Sequence, residues 1–138
     1  RIKLHLQVIA AVREAVGGDY PIALRLGASD YMPGGTTLED SILAAQSFEK
    51  AGVDLLDISG GLCGYNVPDL HGQGFFSDLT EKIKAYVSVP VLLTGGITDG
   101  LAANGLISSG KADLVGVGRA ILKDSTWAKN AIEAIVDF

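Results

Sequence analysis

Two segments of this chain carry residue types suited to binding chemistry: Leu92-Leu93-Thr94-Gly95-Gly96-Ile97, and further on Asp113-Leu114-Val115-Gly116-Val117-Gly118-Arg119. Each is an apolar run that reaches glycine where a helix is expected to begin. Strand ends of that kind expose backbone N–H groups and the positive ends of helix dipoles, which suits a phosphate. Arg119 adds a planar guanidinium for the same anion. The competing explanation is that these glycines only make tight turns.

Arg25 stands near the C-terminal end of another apolar run, Pro21-Ile22-Ala23-Leu24-Arg25-Leu26. A fixed guanidinium there can hold an anion or an electron-rich ring edge, unless Asp30 or Asp57 neutralises it. Asp57 itself lies inside a strand, where an ionised carboxylate needs a partner. Ser59-Gly60-Gly61 follows that strand, and its small residues would let a ligand approach the backbone. Cys63 has no Cys or His at metal-ligand spacing, so it reads as a bystander thiol. His5 falls near the apolar face of a helix and reads as structural. No Ser-His-Asp order, paired acids or metal cluster is evident, and no catalytic residue is assigned.

These residues need elements to position them. Ile2, Leu6, Ile9, Val12 and Val16 recur at helical spacing over residues 2–16, and Gly17-Gly18 ends that helix. After the Arg25 strand comes a loop with Pro33-Gly34-Gly35. Thr36 with Glu39 forms a capping box for a helix that buries Leu38, Ile42, Ala45 and Phe48. Asp54 to Ser59 is the next strand. A long glycine-rich loop, 60–74, marks a functional segment. Leu79, Ile83 and Tyr86 trace a third helix face. Strand Val91 to Thr94 leads to a helix that Thr98 caps and that buries Leu101 and Ile107. Asp113 to Val117 is the fourth strand, and Trp127 packs a final helix over 126–136.

The order α-βα-βα-βα-βα, with each strand a continuous apolar run, points to a parallel sheet buried on both faces. Gly52 to Gly60 also echoes Gly110 to Gly118, as a repeated βα unit would. Two architectures satisfy this order: half of a (β/α)8 barrel, and a small doubly wound sheet. A whole barrel needs ~250 residues, so 138 residues form one domain and close no barrel alone.

Composition narrows the function. A 48% hydrophobic and 20% charged chain builds a packed core. A net charge of −5 argues against nucleic acid and anionic membranes as partners. One cysteine excludes an internal disulfide and fits a reducing cytoplasm. Arg1-Ile2-Lys3-Leu4-His5 shows neither an initiator Met nor a signal peptide, as in a chain that starts inside a protein.

Together the segments resemble the old yellow enzyme family, the NADH:flavin oxidoreductases that hold FMN in a (β/α)8 barrel. The resemblance runs through Ala11 to Gly17, Arg25-Leu26-Gly27-Ala28-Ser29-Asp30-Tyr31 with Gly34-Gly35, Ala51 to Gly61, Pro90-Val91 with Gly95-Gly96-Ile97, and Ala112 to Arg119. It implies strands five to eight of the barrel over 1–138, the C-terminal half. It implies that Arg25 contacts the flavin pyrimidine edge, that Ser59 and Gly60 lie near the flavin or ribityl chain, and that Gly95, Gly96, Gly118 and Arg119 hold the FMN phosphate. The implied chemistry is hydride transfer from NADH or NADPH to FMN and on to an electron-poor small molecule. The family's substrate-anchoring His/Asn or His/His pair and its proton-donating tyrosine would precede Arg1, so little activity is expected of this piece alone. An open half-barrel would also favour homo-oligomers. Without the resemblance, a binding or assembly module and a fragment of another phosphate-binding barrel enzyme are the competing readings.

Overall fold

A computed structural model describes residues 1–62 and 67–136. Its elements run α1 (Lys3–Val16), β1 (Ala23–Gly27), α2 (Leu38–Lys50), β2 (Leu55–Ser59), α3 (Ser77–Lys84), β3 (Val91–Thr94), α4 (Gly100–Ser108), β4 (Leu114–Gly116), α5 (Arg119–Lys123) and α6 (Trp127–Val136). The strands form one parallel sheet in the order β1-β2-β3-β4. Consecutive parallel strands joined by right-handed crossovers keep their helices on one side, the arrangement of a barrel wall. A doubly wound sheet reverses its strand order, and this one does not.

The register sorts the strand residues by face. Arg25 pairs Asp57, Asp57 pairs Leu92, and Leu92 pairs Leu114. The alternate residues Leu56, Ile58, Val91 and Leu93 are fully buried beneath the helices, with Phe48 and Ile83. On the other face Ala23, Arg25 and Leu114 are exposed, and Leu55, Asp57 and Leu92 are half-buried. The expectation of a sheet buried on both faces is therefore corrected: one face is packed and one is bare. Apolar residues on both faces make the same continuous run in sequence, whatever covers them.

Several local readings also shift. Helix α2 is capped by Thr37 and Asp40, not Thr36 and Glu39, with Asp40 N donating to Thr37 Oγ1 at 3.2 Å. Thr36 is already engaged: its N–H donates to Asp30 Oδ2 at 2.7 Å and its carbonyl accepts from Asp30 N at 3.0 Å. Helix α4 is capped by Asp99, whose Oδ1 accepts from Ala102 N at 2.7 Å, not by Thr98. Val12, Val16, Tyr86, Leu101 and Ile107 are exposed, while Ile9, Ala103, Leu79 and Ile83 are buried. Helical periodicity alone does not say how far along a helix the core extends. Helix α5 was not anticipated, since its five residues are too short for a periodic signal.

The echoed units share a brace. Asp54 N donates to Ile22 O at 2.8 Å, and Ile22 N returns a 2.8 Å bond to Asp54 Oδ2. Asp113 N donates to Val91 O at 2.9 Å, and Val91 N returns 2.9 Å to Asp113 Oδ2. Each aspartate also takes a cation from a preceding helix: Arg13 Nη2 lies 2.6 Å from Asp54 Oδ2, and Lys84 Nζ lies 2.7 Å from Asp113 Oδ1. The repeat thus locks each strand start to its neighbour at the end of the sheet away from the glycine turns. His5 is structural as read, its ring 5.8 Å from that of Phe48.

Candidate functional site

The bare face carries a chain of polar contacts across three strands. Arg25 Nε donates to Asp57 Oδ2 at 2.8 Å, and Arg25 Nη2 lies 2.5 Å from the same oxygen. Asp57 Oδ1 accepts from Thr94 Oγ1 at 2.6 Å. The carboxylate that needed a partner inside a strand has two, and the cation near a strand end is anchored by Asp57, not Asp30. Arg25 Nη1 makes no hydrogen bond among the described residues.

Asp30 does other work. Its Oδ1 accepts from Leu62 N at 2.6 Å and its Oδ2 from Thr36 N at 2.7 Å. These bonds hold its carboxyl below the usual carboxylate value against the opposing effect of burial. They tie the loop after β1 to the loop after β2 at the C-terminal end of the sheet.

A cavity of about 930 Å³ opens on this face. That is within the range of small-molecule sites, roughly 300–1,000 Å³. Arg25, Gly95, Gly96, Gly118 and Arg119 all line it, so the structure brings five of the expected site residues together. Ser59 and Gly60 are not on its wall. Ser59 is buried, and its hydroxyl donates to the Gly60 carbonyl at 3.2 Å. Gly60 packs behind Gly27, where an added Cβ would lie 3.2 Å from the Gly60 oxygen.

The two glycine turns differ. Gly95 and Gly96 have φ of 142° and 65°, a region L side chains rarely adopt. A Cβ on Gly96 would also sit 2.5 Å from the Gly72 carbonyl oxygen. Helix α4 begins only at Gly100, with the Asp99 carboxylate over its N-terminus, so its dipole is not offered at this turn. After β4, Gly118 directly precedes α5, and Arg119 is the first residue of that helix. A single turn sums few peptide dipoles, so the charge of Arg119 dominates there. Arg119 is exposed and makes no side-chain hydrogen bond or ion pair among the described residues.

Sequence reasoning missed Thr94, Lys123 and Gln73. Thr94 and Lys123 line the cavity, and Lys123 stands one helical turn beyond Arg119. The spacing of Arg119 and Lys123 was a usable signal. Trp127 reaches beyond its own helix: its Nε1 donates to Thr98 O at 2.8 Å. Cys63 lies outside the described residues. Among those residues no group of His, Cys, Asp or Glu is placed to hold a metal ion.

Comparison with known proteins identifies a family for the chain. The NADH:flavin oxidoreductase / NADH oxidase family matches residues 1–137. An NADH oxidase of Thermoanaerobacter brockii is 38% identical over 96% of this chain, which spans 21% of that protein. A metal reductase of Desulforamulus reducens is 37% identical over 96% of this chain, or 20% of its own length. An NADPH dehydrogenase of Bacillus licheniformis is 34% identical over 98% of this chain and 39% of its own length. The chain thus spans between a fifth and two-fifths of these relatives. The structure of histamine dehydrogenase from Rhizobium sp. 4-9 superposes with a TM-score of 0.81 over 99% of this chain and 20% of that one, at 19% identity, which speaks to the fold. The four-stranded parallel sheet, bare on one face, is half of a barrel wall, and the chain belongs to the NADH:flavin oxidoreductase / NADH oxidase family.

Proposed function

We propose that this chain supplies the phosphate and pyrimidine contacts of an FMN site in an NAD(P)H-dependent flavin oxidoreductase. The observation that carries the reading is Arg119, an exposed cation with no partner among the described residues, on the rim of a cavity whose wall also includes Arg25. The residues present fit the group. Gly95 and Gly96 turn their backbone without side chains to block it, Gly118 has open space where a Cβ would be, and Arg119 balances a phosphate charge. Arg25, held by Asp57, presents its remaining nitrogen to the electron-rich edge of a ring. When bound, the flavin would take a hydride from NAD(P)H and pass it to an electron-poor acceptor. No tyrosine or histidine is among the described residues lining the cavity, and the chain by itself is expected to bind and not to turn over.

Titration with FMN, followed by flavin fluorescence, tests this. Saturable binding, weakened about tenfold or more by Arg119→Ala, is the expected result. No binding, or binding indifferent to that substitution, would overturn it.

The bare face favours a second reading, that two copies associate through it. Leu55, Leu92 and Leu114 lie on that face, and β1 and β4 are open edges. Light scattering decides: a monodisperse monomer overturns this reading. A single cysteine supports a reducing compartment such as the cytoplasm for the protein. No helix among the described residues is long and apolar enough to cross a membrane.

A further inference from the structure

We infer that Gln73 is a positioning residue: its side chain holds the Gly95–Thr98 turn in the conformation that receives a phosphate. The inference rests on the phosphate reading above. Gln73 lies in the loop between β2 and α3 and does not line the cavity. It makes two hydrogen bonds to Thr98, the last residue of the turn, and one to Asp99 just beyond it. Its Oε1 accepts from Thr98 N at 2.8 Å and from Asp99 N at 3.3 Å. Its Nε2 donates to Thr98 Oγ1 at 2.8 Å. With Trp127 Nε1 donating to Thr98 O at 2.8 Å, the N–H, carbonyl and hydroxyl of Thr98 are all engaged. Two contacts flank the same clamp. Gly96 sits against Gly72 O and the Phe75 ring, and Gly95 sits against the Phe76 ring.

The physical need is specific. A glycine pair samples both signs of φ, so an unpinned Gly95-Gly96 turn points its N–H groups in many directions. Ordering it on binding costs conformational entropy, and a turn already fixed avoids that cost. Gln73 is not among the cavity-lining residues, whereas Thr98, which it grips, is, so the clamp orders a wall residue without placing the Gln73 side chain in the cavity. Thr98, expected to cap α4, is instead the point where the loop after β2 and helix α6 both grip the turn.

The test compares the unsubstituted chain with Gln73→Ala and with Thr98→Val, which removes one of the three bonds. FMN and riboflavin, which lacks the phosphate, are titrated in parallel, and amide hydrogen exchange is followed at Gly96 and Thr98. Gln73→Ala is expected to speed exchange at both amides and to weaken FMN about tenfold while leaving riboflavin unchanged. Thr98→Val should shift the same readouts by less. Equal weakening of both flavins, or an unchanged FMN-to-riboflavin ratio in Gln73→Ala, overturns the positioning role. An unsubstituted chain that binds both flavins alike overturns the phosphate reading and this inference with it.

Discussion

Arg25 and Asp57 are register partners on adjacent parallel strands, and the guanidinium gives two nitrogens to a single carboxylate oxygen. The second carboxylate oxygen accepts the Thr94 hydroxyl from the next strand, so one aspartate fixes a cation and bridges three strands. Asp57→Ala is expected to free Arg25 and remove the Thr94 bond. The cost should be about 1 kcal/mol, because the pair is partly open to water. Asp57→Asn, which keeps an acceptor for Thr94, should lose less. Thermal melts of the two variants check the order; equal stability of Asp57→Ala and the unsubstituted chain would contradict it.

The one-sided sheet makes a paired prediction. Ile58 is fully buried beneath the helices, and Leu114 on the bare face is 41% exposed. Ile58→Ala should cost about 2–5 kcal/mol. Leu114→Ala should stay within about 0.5 kcal/mol. Urea unfolding of both variants measures the contrast, and comparable losses would mean that the second face is covered in solution.

Gly96→Ala places a side chain at a φ of 65° and against the Gly72 carbonyl. The expected cost is about 1–3 kcal/mol. Gly118→Ala, at a negative φ with open space around it, should leave stability nearly unchanged while filling the rim of the cavity. Melting temperatures alongside flavin titrations separate the two effects.

Acid should unfold the protein through its aspartates. Hydrogen bonds from Ile22 N and Arg13 hold the Asp54 carboxyl below its ordinary value of 3.8. Burial works against ionisation of Asp113, but Lys84 and the Val91 N–H outweigh it and hold that carboxyl below 3.8 as well. Asp30 shifts the same way through Leu62 and Thr36. A folded pKa below the unfolded one means that the unfolded chain binds more protons as the pH falls. The stabilisation is therefore full above the unfolded value near 3.8 and is lost as the pH drops through the lower folded values. Melts between neutral pH and pH ~3 should show the fall, and Asp54→Asn should flatten it. A stability that stays level through that range would refute the assignment.

Much of the site was legible because its signals are local. An apolar run followed by glycine marks a strand and its turn; Gly95, Gly96, Gly118 and Arg119 stand out as candidates that way, and all four line one cavity. The same locality explains the misplacements. Thr36-Glu39 and Thr37-Asp40 are both plausible caps in sequence, and only the bonds from Asp30 to Thr36 choose between them. Ser59 and Gly60 have the residue types of a ligand turn; they are not among the residues lining the cavity, and Ser59 is buried.

By itself the sequence determined the order of helices and strands apart from the short α5, the glycine turns at the strand ends and the kinship of the chain. The tertiary structure alone decided that one sheet face is bare, that Arg25 pairs with Asp57 rather than Asp30, and that Gln73 grips Thr98. The reason is physical. Backbone propensity and helix or strand period act between near neighbours along the chain. Register and side-chain pairing join residues 22 to 41 positions apart, and they exist only once the strands lie side by side.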